Sequence, residues 1–100
     1  MPLPDEETRL DDEALTSFLA TGGWTREGEL LTKTYRCAGW KAAIAFVQRI
    51  GAAADAVGHH PDVHVERYRN VRVVTTTFAT GKLSDADVAL ARRVEEAFTG

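Results

Sequence analysis

Residues 38–61 read AGWKAAIAFVQRIGAAADAVGHHP, and the point at which this run stops being helical decides the fold. Trp40, Ala43, Ile44, Val47, Ile50, Ala54 and Val57 recur at spacings of three and four. That spacing puts them on one stripe of a helix running from about Ala38 to Val57. Phe46 and Ala53 widen the stripe, which predicts burial on more than one side. Gly51 inside the run weakens the helix by ~1 kcal/mol against alanine. Gly58 ends it, and Pro61 forbids its return, because the proline ring removes a backbone donor and drives His60 into extended conformations. His59 and His60 therefore project from a helix-to-strand junction, held by rigid elements yet open to a ligand. Histidine alone has an unperturbed proton affinity near neutrality, so the pair points to acid–base chemistry.

Upstream of this junction, residues 1–9 read as a disordered arm and 10–100 as one domain. Asp11 or Asp12 can cap a helix with Leu15, Phe18 and Leu19 at helical spacing, stopped by Gly22-Gly23. A hairpin is expected from about Trp24 to Tyr35, turning at Glu27-Gly28-Glu29. Downstream, Val63-His64-Val65 alternates with period two, and Val71 to Phe78 is rich in β-branched residues, so both read as strands with Arg67–Asn70 between them. Ser84-Asp85-Ala86-Asp87 has the form of a capping box with aspartate in the glutamate position, opening a helix to about Phe98. The order α-β-β-α-β-β-α predicts an α+β fold: a four-stranded antiparallel sheet with its helices packed on one face.

Composition excludes several function classes. One hundred residues with 44% hydrophobic and 27% charged content describe an ordinary globular domain. A net charge of −3 gives no electrostatic case for nucleic acid or an anionic membrane. Cys37 is the only cysteine, so neither an intramolecular disulfide nor a thiolate metal cage is available. The acidic, proline-bearing start Met1-Pro2-Leu3-Pro4-Asp5 is unlike a signal or transit peptide. No apolar run approaches the roughly 20 residues that span a bilayer. The default location is the reducing cytoplasm.

The element order, together with Asp55-x3-His59-His60-Pro61, Tyr68 and Leu83-Ser84-Asp85-Ala86-Asp87, resembles the pterin-4a-carbinolamine dehydratases, from Trp24 to the last helix. The resemblance implies dehydration of 4a-hydroxytetrahydropterin to the quinonoid dihydropterin, with no metal or redox cofactor. Hydroxide leaves poorly, so an acid must protonate the 4a-oxygen while a base removes the N5 proton. By resemblance His59 and His60 supply these groups, Asp55 orients a histidine and Asp87 contributes from the last helix. Pro61, Thr77 and Phe78 are the implied substrate contacts, with the Phe78 ring able to stack on a flat pterin. The family's third active-site histidine falls at Phe78, which cannot transfer a proton, and its Gly-Gly pair is here Gly81-Lys82. The resemblance also implies a homodimer built by extending the sheet, or a homotetramer built through helix packing.

A second reading comes from relatives with this fold that act as assembly chaperones for Rubisco, in chloroplasts or α-carboxysomes. Phe78 and Lys82 favour it, with the Rubisco large subunit as partner and a carboxysome-associated location. The intact Asp55, His59, His60 and Pro61 set favours the enzyme. Plainer roles stand beside these. The histidines can cap a helix end, and Asp87 can serve the last helix electrostatically. His60-x3-His64 has a metal-like spacing that Pro61 disrupts. Trp24 and Trp40 read as core or interface aromatics, and Arg67, Arg69 and Arg72 as a solvated strand edge.

Overall fold

Asp11 opens the first helix by accepting a hydrogen bond from the Ala14 N–H at 3.1 Å, which satisfies one of the donors left unpaired at a helix start. The computed structural model describes residues 9–99, so the expected N-terminal arm lies outside the described residues except for Arg9. Helix α1 spans Asp12–Gly22 and stops where Gly23 turns left-handed at φ 72. Strands β1 (Thr25–Glu27) and β2 (Leu30–Arg36) form the expected hairpin. Helix α2 runs Trp40–Val57, starting two residues later than the apolar stripe predicts. At its end Gly58, at φ 67, donates its N–H to the Ala54 carbonyl. Strands β3 (Asp62–Glu66) and β4 (Asn70–Thr75) follow, and α3 (Asp85–Ala97) closes the chain. No helix among the described residues is long and apolar enough to cross a membrane.

The sheet order is β1-β2-β4-β3, antiparallel throughout. Register sets its two faces. Leu31 pairs with Thr75, Tyr35 with Val71 and Val63 with Val73, and successive side chains alternate across the sheet. Leu31, Tyr35, Val71 and Val73 are thereby buried under the helices, joined by Phe46, Ile50 and Ala54 of α2 and Leu90, Ala91 and Val94 of α3. The ring centroids of Tyr35, Phe46 and Phe98 lie 4.8–5.2 Å apart. Thr34, His64 and Arg72 belong to the opposite, polar face, as an antiparallel sheet covered on one side allows.

Several details refine the expectation. Strand β4 ends at Thr75 instead of continuing to Phe78; Thr77 makes an isolated bridge to Lys82, and Phe78–Thr80 form a turn closed by the Gly81 N–H on the Thr77 carbonyl at 2.8 Å. β-propensity reports a side chain's fit to a pleated surface, and here the chain must leave that surface to reach α3. The reversal between β3 and β4 is tighter than expected, with Arg67 (φ 48) and Tyr68 (φ 56) both left-handed, at a cost of about 1–2 kcal/mol per residue. Of the two tryptophans read as core or interface aromatics, Trp24 is core and Trp40 is 57% exposed. The arginine cluster disperses: Arg69 donates to the Cys37 and Ala38 carbonyls, and Arg72 makes a two-point pair with Glu66.

A polar clasp ties the layers together. Glu95 Oε1 on α3 accepts from Trp24 Nε1 at 3.0 Å, from Lys33 Nζ at 2.5 Å and from the Tyr35 hydroxyl. Lys33 also donates to the Gly22 carbonyl at the end of α1, at 2.8 Å. Burial pushes the Tyr35 phenol well above its ordinary range, reinforced by Glu95. For Glu95, burial acts upward, but the hydrogen bonds from Lys33 and Tyr35 and the lysine's charge outweigh it and hold the carboxyl below its usual range. A depressed folded-state carboxyl stabilises the fold above the unfolded group's titration, and that contribution disappears as pH falls through the folded value. Glu95→Gln, which keeps the shape and removes the charge, should therefore cost roughly 1–3 kcal/mol at neutral pH. The deficit should shrink toward acid pH. Denaturant melts of both proteins from pH 7 down to pH 3 test this, and superimposable stability curves would refute it.

Candidate active site

The junction predicted by Gly58 and Pro61 brings His59 against the start of α3. His59 Nε2 lies 2.6 Å from Asp87 Oδ1. The aspartate side chain has no exposed surface, and the histidine side chain is 15% exposed. Asp87 also serves as the third residue of the α3 capping box, accepting from the Ser84 N–H at 3.0 Å. The helix-start role anticipated for this residue is thus observed, and the same carboxylate meets His59.

Proton positions around Asp87 follow from counting. Oδ1 faces His59 Nε2 and the Thr75 hydroxyl, both at 2.6 Å. Oδ2 faces the Thr77 hydroxyl at 2.9 Å and the Ser84 N–H at 3.0 Å. An ionised carboxylate only accepts, so each threonine spends its single hydrogen on Asp87. The Thr77–Ser84 contact at 2.7 Å must then run from the Ser84 hydroxyl to Thr77 Oγ1, while Ser84 Oγ accepts from the Ala86 N–H. An ionised carboxylate has no hydrogen to give, so the contact with His59 is a hydrogen bond when the ring carries its hydrogen on Nε2. Both threonines are buried, and no buried side-chain nitrogen or oxygen among the described residues lacks a partner. Full satisfaction is what makes a buried charge tolerable.

His60 is placed differently. Its Nε2 lies 2.9 Å from Asp55 Oδ1, and both side chains are exposed. Asp55 sits on the last turn of α2, five residues before its partner, so this pair is local where the His59–Asp87 pair bridges distant segments. The junction therefore carries one histidine clamped from below and one standing in solvent. Two such groups can supply one proton and take up another. Half-buried Pro61 sets the turn.

Of the remaining candidates, Thr77 is buried with its hydroxyl committed to Asp87 and Ser84. Phe78, next to it, swings out to 76% exposure. The sequence marked Thr77 but gave no reason to single out Thr75. The signal that would have found it is period-two register, which sends Thr75 and Thr77 to the same side as Val71 and Val73. Cys37 is buried, and burial pushes its thiol upward against the opposing charges of Arg49 and Arg69.

Comparison with known proteins converges on one family. The chain is 39% identical to a Thermomicrobium roseum protein over 88% of its own length and 95% of the relative's. A Chloroflexus aurantiacus protein is 42% identical, again over 88% of this chain and 95% of the other. Both are named, provisionally, as pterin-4-alpha-carbinolamine dehydratases. Among solved structures, a transcriptional coactivator/pterin dehydratase from Brucella melitensis superimposes with a TM-score of 0.78, covering 90% of this chain and 98% of that one at 22% identity. A pterin dehydratase-like protein identified as a RuBisCO assembly factor in the α-carboxysome gives a TM-score of 0.58 at 20% identity, covering 74% and 84%. These two share the fold. The model of the pterin 4 alpha carbinolamine dehydratases matches residues 8–97, and on that match and the identities over nearly whole lengths this chain belongs to that family.

Proposed function

We propose that this protein is a hydro-lyase that converts a 4a-hydroxytetrahydropterin to the quinonoid dihydropterin and water. The observation that carries this reading is the junction itself, where two adjacent histidines are each paired with a carboxylate, one buried and one in solvent. Loss of water from the carbinolamine is redox-neutral and needs two proton transfers. An acid protonates the departing 4a-hydroxyl, the C4a–O bond breaks, and a base takes the N5 proton as the C4a=N5 bond forms. His59 and His60 are the two groups assigned to these transfers, each able to give or take a proton at neutral pH. Initial rates on chemically generated carbinolamine, followed by stopped flow, test the activity directly. His59→Ala and His60→Ala should each lower kcat/KM by at least ~10²-fold, the usual contribution of a proton-transfer group. Near-wild-type rates in both variants would remove the histidines from the mechanism.

Phe78 is the observation that favours a second reading. A ring that cannot transfer protons, standing exposed where the family pattern has a histidine, fits a protein that has given up catalysis and assembles a partner, as the α-carboxysome relative does with RuBisCO. Phe78→His separates the two. The turn leaves room for the new ring without burying it, so folding should be unaffected. In a weakened dehydratase kcat should rise with little change in KM, because the added group acts in proton transfer. If the native protein and Phe78→His are both inert while the native protein raises the yield of reconstituted Rubisco, the assembly reading replaces the enzyme.

We also propose that the chain works as a homodimer or homotetramer. Exposed Trp40 and half-buried Ile44 and Val47 leave apolar surface along α2 that a single chain does not cover. A light-scattering mass near that of one chain, 10.9 kDa, at micromolar concentration would refute this.

A further inference from the structure

His59 has two ring nitrogens, and the structure distinguishes them. Nε2 is committed to Asp87. Nδ1 makes no hydrogen bond to any described residue, yet no buried side-chain nitrogen among those residues is left without a partner. Nδ1 therefore reaches the surface, through the 15% of the side chain that is exposed. Behind Nε2 stands a directed chain of hydrogen bonds, Ser84 hydroxyl to Thr77 and the Thr77 and Thr75 hydroxyls to Asp87, whose Oδ1 faces His59 Nε2 at 2.6 Å. Each of the two threonines occupies one carboxylate oxygen, and the backbone N–H of Ser84 occupies another site on Oδ2. Every acceptor direction of Asp87 but the one facing His59 is thus filled. The carboxylate can neither rotate without breaking these bonds nor accept from water, because it is wholly enclosed.

We propose that Thr75 and Thr77 are positioning residues which act through Asp87 to hold His59 in the Nε2–H tautomer, making Nδ1 the atom through which His59 exchanges protons with substrate. The proton inventory balances. Neutral His59 takes the N5 proton on Nδ1, the resulting imidazolium keeps its Nε2–H bond to Asp87, and solvent then takes that proton from Nδ1 and returns one to His60, which gave its own to the departing hydroxyl. Asp87 stabilises the cation without itself receiving a proton, the role a buried carboxylate plays behind a catalytic histidine. His60 has no such chain behind it, since Asp55 is exposed and the one side chain it meets among the described residues is the His60 ring. The two histidines are consequently not interchangeable: the partner of His59 is buried and held on every side, whereas the partner of His60 is exposed.

The inference rests on the dehydratase reading for its catalytic half alone, and the experiment separates the two halves. Long-range ¹H–¹⁵N correlation spectra report the tautomer of each ring, and the chain has three histidines, which single replacements of His60 and His64 assign. At a pH where the rings are neutral, His59 should show the Nε2–H pattern in the wild-type protein. Thr75→Val keeps the shape and removes the hydroxyl, and it should move His59 toward a mixture of tautomers. Thr75→Ser restores the hydroxyl and should restore the wild-type pattern. In the dehydration assay Thr75→Val should lower kcat by roughly 10–100-fold, as misplacement of a reacting group does, with little change in KM and with rescue in Thr75→Ser. An Nδ1–H pattern for His59 in the wild-type protein would overturn the proposal, as would a Thr75→Val protein with unchanged tautomer. If Thr75→Val does not fold, the wild-type spectrum and the parallel Thr77→Val protein decide the question. A wild-type protein with the expected tautomer and no dehydratase activity would leave the positioning chain standing and overturn the enzyme reading alone.

Discussion

The carboxylate of Asp87 is the constraint around which the functional end of this molecule is organised. A charge with no exposed surface is tolerated only if every acceptor direction is filled. Here the donors come from four segments: the α2–β3 junction, β4, the turn after it, and the cap of α3. Satisfying the carboxylate therefore fixes how these segments meet. The helix gains its start signal, the junction gains its orientation, and Thr75 and Thr77, on one side of the chain by their spacing, both turn their hydroxyls to it. Asp87 both caps α3 and meets His59 because each contact calls for a buried acceptor at a helix N-terminus.

Glu95 does comparable work at the other end of α3. It gathers Trp24, Lys33 and Tyr35 onto one oxygen and, through Lys33, holds the end of α1. The two carboxylates differ in kind. Glu95 is paired with a cation and remains partly open to solvent, whereas Asp87 is surrounded by neutral donors and one imidazole. The first makes the fold sensitive to acid. The second couples a ring's orientation to the sheet, which is the property a proton-transferring group requires.

The asymmetry between the two histidines follows from where their partners stand. Asp55 lies one helical turn back and needs no tertiary structure to be near His60. Asp87 is 28 residues on from His59 and arrives only when α3 docks. The exposed Phe78 sits beside this arrangement without entering it. With Phe78 turned outward, the buried support of His59 is complete without it.

The sequence by itself determined the element order, the ends of the first two helices and the start of the last, since Gly23, Gly58, Pro61 and the Ser84–Asp87 box act locally through backbone conformation and capping. It also determined that His59 and His60 flank a junction, and through the family pattern it marked Asp55 and Asp87. The end of β4 was not legible: Thr75-Thr76-Thr77-Phe78 carries strong strand propensity, and only the need to reach α3 overrides it. The role of Thr75 was equally hidden, because a threonine in a strand reads as a filler of pleated surface until the carboxylate it serves is brought in from another element. Trp40, read as a core or interface aromatic, stands exposed, since a helix's apolar stripe records that it must be covered but not by what. Tertiary structure decided these points for one physical reason. Burial and hydrogen-bond satisfaction are set by neighbours distant in sequence, whereas turns and caps are set by the next few residues.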